Sequence, residues 1–131
     1  MGEKLCALRK IGGGTLKETI LWTNPSPTST FARQTINLSQ DINNFDYLKI
    51  KALGSTTNNL EISIYISVDD FKKGGSTGSV AGPALYGANT GGTARRAIYY
   101  SSSTTILVDY AEGGNTQYNN IAIPLQIIGL G

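Results

Sequence analysis

The chain has 131 residues, 40% apolar and 15% charged, with 11 basic residues against 9 acidic ones and a net charge of +2. That is room for one domain with a real core, and it excludes a coiled coil, a charge-rich disordered tail and a strongly basic nucleic-acid binder. Histidine is absent and cysteine occurs once, so a His-based general base or triad, a His metal site, an internal disulfide and a thiolate zinc site are all ruled out.

At the amino terminus, Met1 to Lys10 are good helix formers, but the stretch is too short for a stable isolated helix. Gly12-Gly13-Gly14 then disconnects it from the rest of the chain. Residues 1–14 therefore read either as an arm with a glycine hinge, docking elsewhere through Leu5 and Leu8, or as a first strand. Residues 15–131 read as the domain proper. Lys4, Arg9 and Lys10 are followed by no apolar stretch long enough for a signal peptide, and no run approaches the roughly 20 residues that cross a bilayer. A reducing cytoplasm as the place of synthesis fits the lone Cys6.

Thr19 to Thr23 and Phe31 to Leu38 are predicted strands, with Trp22 assigned to the core. Pro25 and Pro27 between them forbid a helix. Tyr47 to Ala52 alternates, with Leu48, Ile50 and Ala52 on one side and Lys49 and Lys51 on the other. Leu53 to Asn59 supplies turn residues. Leu60 to Val68 alternates most clearly, with Leu60, Ile62, Ile64, Ile66 and Val68 on one parity, which predicts one buried and one wet face. These two strands are expected to form an antiparallel hairpin. Lys72 to Ala94 has no clear period and reads as a long Gly-rich loop, with enough apolar content around Leu85 and Tyr86 for a short edge strand or clip. Ala97 to Ser101 and Thr105 to Tyr110 are weaker strands. Asn120 to Ile128 alternates again, with Pro124 requiring a sheet edge or a bulge. No segment past residue 18 carries a helical stripe. The prediction is an all-β fold: an antiparallel, jelly-roll-like sandwich of about seven strands.

Few residues offer chemistry. Neither Gly12-Gly13-Gly14-Thr15 nor Gly74 to Ser79 ends as a phosphate loop does. Asp69-Asp70 and Glu61 lack the spacing of a glycosidase pair or an EF-hand. No catalytic residue, cofactor or metal ligand is expected, so the chain reads as a non-enzyme. Tyrosine outnumbers phenylalanine and tryptophan together, seven to four. Tyr and Arg suit protein interfaces, and Tyr also stacks on sugars. Arg95, Arg96, Tyr99, Tyr100 and Tyr86 are therefore the candidate contacts for a protein or a glycan, together with Leu5 and Leu8 of the arm.

The string E-T-I-L-W-T-N-P-S-P-T-S-T-F-A-R-Q-T-I-N-L-S-Q-D-I-N-N-F-D-Y-L-K-I, Glu18 to Ile50, resembles a module of virion proteins of tailed phages and prophages of Gram-positive bacteria. The ending I-A-I-P-L-Q-I-I-G-L, Ile121 to Leu130, is similar to the close of that module, and Val68-Asp69-Asp70-Phe71 lies between. The resemblance spans about residues 15 to 130 and implies a surface-exposed accessory β-sandwich, assembling as a homo-oligomer, often a trimer. The short lead before it, beginning with Met, implies a stand-alone capsid decoration or head-fibre protein that binds the assembled shell through other virion proteins. The alternative is a tail-fibre-type module that recognises host cell-surface carbohydrate.

Overall fold

Side-chain alternation decides most of this fold. The computed structural model of the chain describes residues 16–27, 30–55, 59–74, 82–89 and 92–131. Among them, nine strands form two antiparallel sheets packed into an all-β sandwich, as the alternation predicts. The first sheet has the order β1 (Glu18–Thr23), β9 (Ile123–Leu130), β3 (Tyr47–Ser55), β4 (Leu60–Ser67). The second has β2 (Gln34–Asn37), β7 (Thr105–Gly113), β6 (Gly92–Ser102), β5 (Ala84–Asn89), with β8 (Thr116–Tyr118) beside the far half of β7. Leu48, Ile50 and Ile127 of the first sheet and Ile98, Ile106 and Val108 of the second are fully buried in one shared cluster.

The predicted β3–β4 hairpin forms, and its register sets Leu48 opposite Ile66, Ile50 opposite Ile64 and Ala52 opposite Ile62. Burial differs across it. Leu48, Ile50 and Ala52 are fully buried, whereas Ile62, Ile64 and Ile66 are half-buried. The expected fully buried face of β4 is corrected by its position: β4 is the last strand of its sheet. Trp22 likewise is only partly buried, its ring edge-on to Phe31 at 5.9 Å.

Pro124 lies in an interior strand, between β1 and β3. The β3–β9 register shifts between Lys51 and Ala52, and Pro124 stands opposite Ala52. Pro124 thus coincides with a bulge against β3 and lies past the last β1 pair, Thr23 opposite Gln126, so it has a ladder partner on one side only. The Pro124 carbonyl accepts from the Asn24 side-chain amide at 2.9 Å.

Three further differences concern residues 68–118. A short helix, α1 (Val68–Lys73), follows β4, capped by the Ser67 hydroxyl accepting from the Asp70 N–H at 3.1 Å. Acidic Asp69 and Asp70 in its first turn and Lys72 and Lys73 in its last suit the helix dipole. A six-residue helix carries too few residues for a periodic stripe, so alternation alone does not reveal it. Part of the expected Gly-rich loop is β5 and the start of β6, and residues 75–81 and 90–91 of it lie outside the described residues. β8, three residues long, is a further strand beyond those expected. The two sheets touch closely where Gly87 of β5 meets β3: a Cβ on Gly87 would collide with the Gly54 carbonyl oxygen. The expected arm or first strand at residues 1–14 lies outside the described residues.

Candidate functional site

β6 and β7 place side chains on both faces of the second sheet. Arg95 stands opposite Glu112 and Arg96 opposite Ala111, and then the register shifts, so that Ile98 stands opposite Val108. Between these pairs Ala97 faces two residues, Asp109 and Tyr110, which is the count of a β-bulge. Alternation sends Arg96, Ile98 and Tyr100 inward and Arg95, Ala97 and Tyr99 outward. The outward set lines a basin of about 380 Å³ together with Arg33, Asp109, Tyr110 and Glu112. Small Ala97 keeps its floor low.

The basin is rich in matched charge. Arg33 Nε lies 3.1 Å from Asp109 Oδ1, which also accepts from the Tyr110 backbone N–H at 2.8 Å. The Tyr110 hydroxyl bonds to Glu112, and this bond first of all pushes the Tyr110 pKa up. Burial pushes the Tyr99 pKa up, with the Asp109 charge adding to it. Both phenols therefore stay protonated at neutral pH and act as donors. Two guanidinium groups, two phenols and two carboxylates thus converge on an open concavity, a set suited to a ligand carrying many hydroxyls. Tyr110 is half-exposed and offers ring area, whereas Tyr99 is buried and forms a wall.

Arg96 lies beneath, fully buried. Its Nε donates to the Ala122 carbonyl at 2.9 Å, and its Nη1 to the backbone carbonyls of Phe31 at 3.0 Å and Asp109 at 2.6 Å. Its Nη2 donates to the backbone carbonyls of Ile121 at 3.0 Å and Asn119 at 3.3 Å. A guanidinium has five N–H groups, so its donor capacity is spent on backbone. The Phe31 ring adds a cation–π contact at 5.6 Å. Burial lowers its pKa to about 10, which leaves it charged at neutral pH. Arg96 pins residues 119–122, including Ala122 at a φ of 53°, against β7 directly under the basin's Asp109.

The residues singled out from the sequence thus part company. Arg95 and Tyr99 meet in the basin. Arg96 is buried with its donors used, and Tyr100 faces inward, edge-on to Phe71 at 6.0 Å. Tyr86 is 65% exposed and borders a separate groove of about 570 Å³ with Leu60 and Ile62. Arg95 and Glu112 line both the groove and the basin. Leu5 and Leu8 lie outside the described residues. Arg33, Asp109, Tyr110 and Glu112 are basin residues that sequence reasoning missed. Each is ordinary in its local sequence, and only strand register brings them together. The acidic residues with candidate chemistry lie elsewhere: Asp69 and Asp70 in α1, and Glu61 on β4 with its carboxylate 3.5 Å from Lys51 Nζ.

Comparison of the chain with protein-family models and with curated proteins finds no match to either.

Proposed function

We propose that the protein is a non-enzymatic recognition module displayed on a virion surface, and that its outer-face basin binds host cell-surface carbohydrate. The virion setting rests on the resemblance carried by Glu18–Ile50 and Ile121–Leu130. The binding role rests on one observation: paired donors and acceptors around a shallow concavity, with a half-exposed tyrosine ring at its margin. Saccharides present vicinal hydroxyls, which both donate and accept, and apolar C–H faces, which stack on aromatic rings. Arg95 and Glu112, directly opposite each other, supply a donor and an acceptor at one strand-pair spacing. Asp109 is held by Arg33, an arrangement that orients a carboxylate for accepting hydrogen bonds.

Binding to an array of bacterial surface saccharides tests this. Arg95→Ala and Tyr110→Ala are expected to weaken the best binder at least about tenfold, the loss of one good contact each, without shifting the melting temperature appreciably. Binding to no saccharide, or binding indifferent to both substitutions, overturns the reading.

Capsid decoration, as a head-fibre or shell-bound protein, is the second reading. What favours it is the side of the sandwich where Leu60 and Tyr86 are 55% and 65% exposed, apolar surface suited to a protein lattice. A protein that loads onto assembled shells but not onto free shell subunits, and binds no saccharide, supports decoration instead.

A further inference from the structure

The strand edges of the sandwich are not equally protected. At β1, the Ser39 N–H donates to the Leu21 carbonyl at 2.9 Å and the Ser39 hydroxyl to the Ile20 carbonyl at 3.3 Å. β2 and β8 are four and three residues long. β5 is six residues long, preceded by Pro83 and carrying Gly87 in its middle. Among the described residues, β4 has none of these devices from 61 to 67. It runs for eight residues as L-E-I-S-I-Y-I-S, with no lysine, proline or glycine. At about 3.3 Å per residue that is an edge of about 26 Å. Among the described residues it pairs with β3 alone. Natural sheets blunt such edges, because a long flat apolar edge is a template for another strand.

We infer that β4 is the docking edge for a second copy of this chain, added antiparallel about a two-fold axis through Ser63. This holds whether or not the basin takes a saccharide. Self-pairing about Ser63 sets Ile62 opposite Ile64 of the partner subunit and Leu60 opposite Ile66 of the partner subunit. Directly opposed residues share a sheet face, so the half-buried isoleucines and the exposed Leu60 continue the apolar face across the junction. On the wet face, Glu61 comes opposite Tyr65 of the partner subunit. In each chain Lys49 Nζ lies 5.7 Å from the Tyr65 ring centre and 3.6 Å from Glu18, and Lys51 Nζ lies 3.5 Å from Glu61, so Glu61 joins a wet face that already carries both lysines and no like charge stands directly opposite it. Moving the axis to Ile64 would push the pairing into Ser67 and Val68, where the chain turns into α1. The Ser63 axis pairs the whole of 60–66. The interface is isologous, so it closes at two copies.

Mass measurement over a concentration series up to the submillimolar range tests the pairing. The unmodified chain is expected to reach two copies. Ser63 is exposed, so Ser63→Lys leaves the fold intact while placing two ammonium groups face to face, and it should raise the dissociation constant at least about tenfold. Ser63→Asp should do the same, and an equimolar mixture of the two variants should restore association, which a merely unfolded variant cannot do. A chain that stays single, or a three-copy particle indifferent to Ser63→Lys, overturns the inference. So does association lost on replacing Leu5 and Leu8 by Asp but kept in Ser63→Lys, which gives the contact to the amino-terminal segment.

Discussion

Arg95 and Arg96 are neighbours in β6 and have opposite fates. Arg95 is exposed beside a basin, opposite Glu112, and borders both that basin and the groove beside Tyr86. Arg96 is fully buried and spends its donors on five backbone carbonyls. One residue of strand advance turns a side chain through the sheet, so two identical residues become a basin side chain and a structural clamp. A buried cation is tolerated only when each donor is satisfied. Here four of the five acceptors, the carbonyls of Phe31, Asn119, Ile121 and Ala122, sit on backbone outside the strands. Buried charge and irregular backbone thus solve each other's problem.

Substitutions can break that contrast. Arg96→Leu would deprive five carbonyl groups of this donor and should cost about 3–5 kcal/mol of stability, read from urea unfolding. Arg96→Lys should recover only a small part, because an ammonium has three donors and no planar fork. Next in size is Gly87→Ala, where the added carbon meets backbone of the other sheet. It should cost about 1–3 kcal/mol by the same measurement, as overpacking does.

On the outer face the effects shrink. Asp109→Asn removes the charge facing Arg33, whose side chain is 51% exposed, and should cost about 1 kcal/mol or less. Arg95→Ala should change stability by no more than about 0.5 kcal/mol while reducing saccharide binding. An equal loss of stability in Arg95→Ala and Arg96→Leu would erase the distinction between the two.

Alkaline pH sharpens it further. The Tyr99 pKa in the folded chain is raised above its ordinary 10.0, chiefly by burial. The folded state thus holds this proton longer than the unfolded chain does. Its contribution to stability is complete below pH 10 and is lost as pH rises through the folded pKa. Arg96, lowered by burial from its ordinary value to about 10, acts in the opposite sense, since the folded state releases that proton first and stability rises across the interval. Tyr99→Phe removes the first effect and keeps the second. Above pH 10 the unmodified chain should lose stability relative to Tyr99→Phe, with no such divergence at pH 7.

The sequence alone determined the class of fold, because period-two alternation at Leu48–Ala52 and Leu60–Val68 permits only strands with one apolar face, and the turn residues between them favour a hairpin. It also determined what chemistry is missing, since a chain without histidine has no histidine ligand or base wherever it folds. Alternation states that two faces differ; it does not state what covers either one. Whether Ile62, Ile64 and Ile66 are deeply buried depended on β4 lying last in its sheet, a matter of long-range pairing. Likewise Pro124 required an edge or a bulge, and only long-range register placed it at a bulge against β3 and past the end of the β1 ladder. The basin was least legible. Arg33, Arg95, Asp109 and Glu112 lie on three chain segments, and a register one residue different would turn the strand residues among them to the other face. Tertiary structure decided the site because a single β-bulge, two residues of β7 against Ala97, set which side chains share a face.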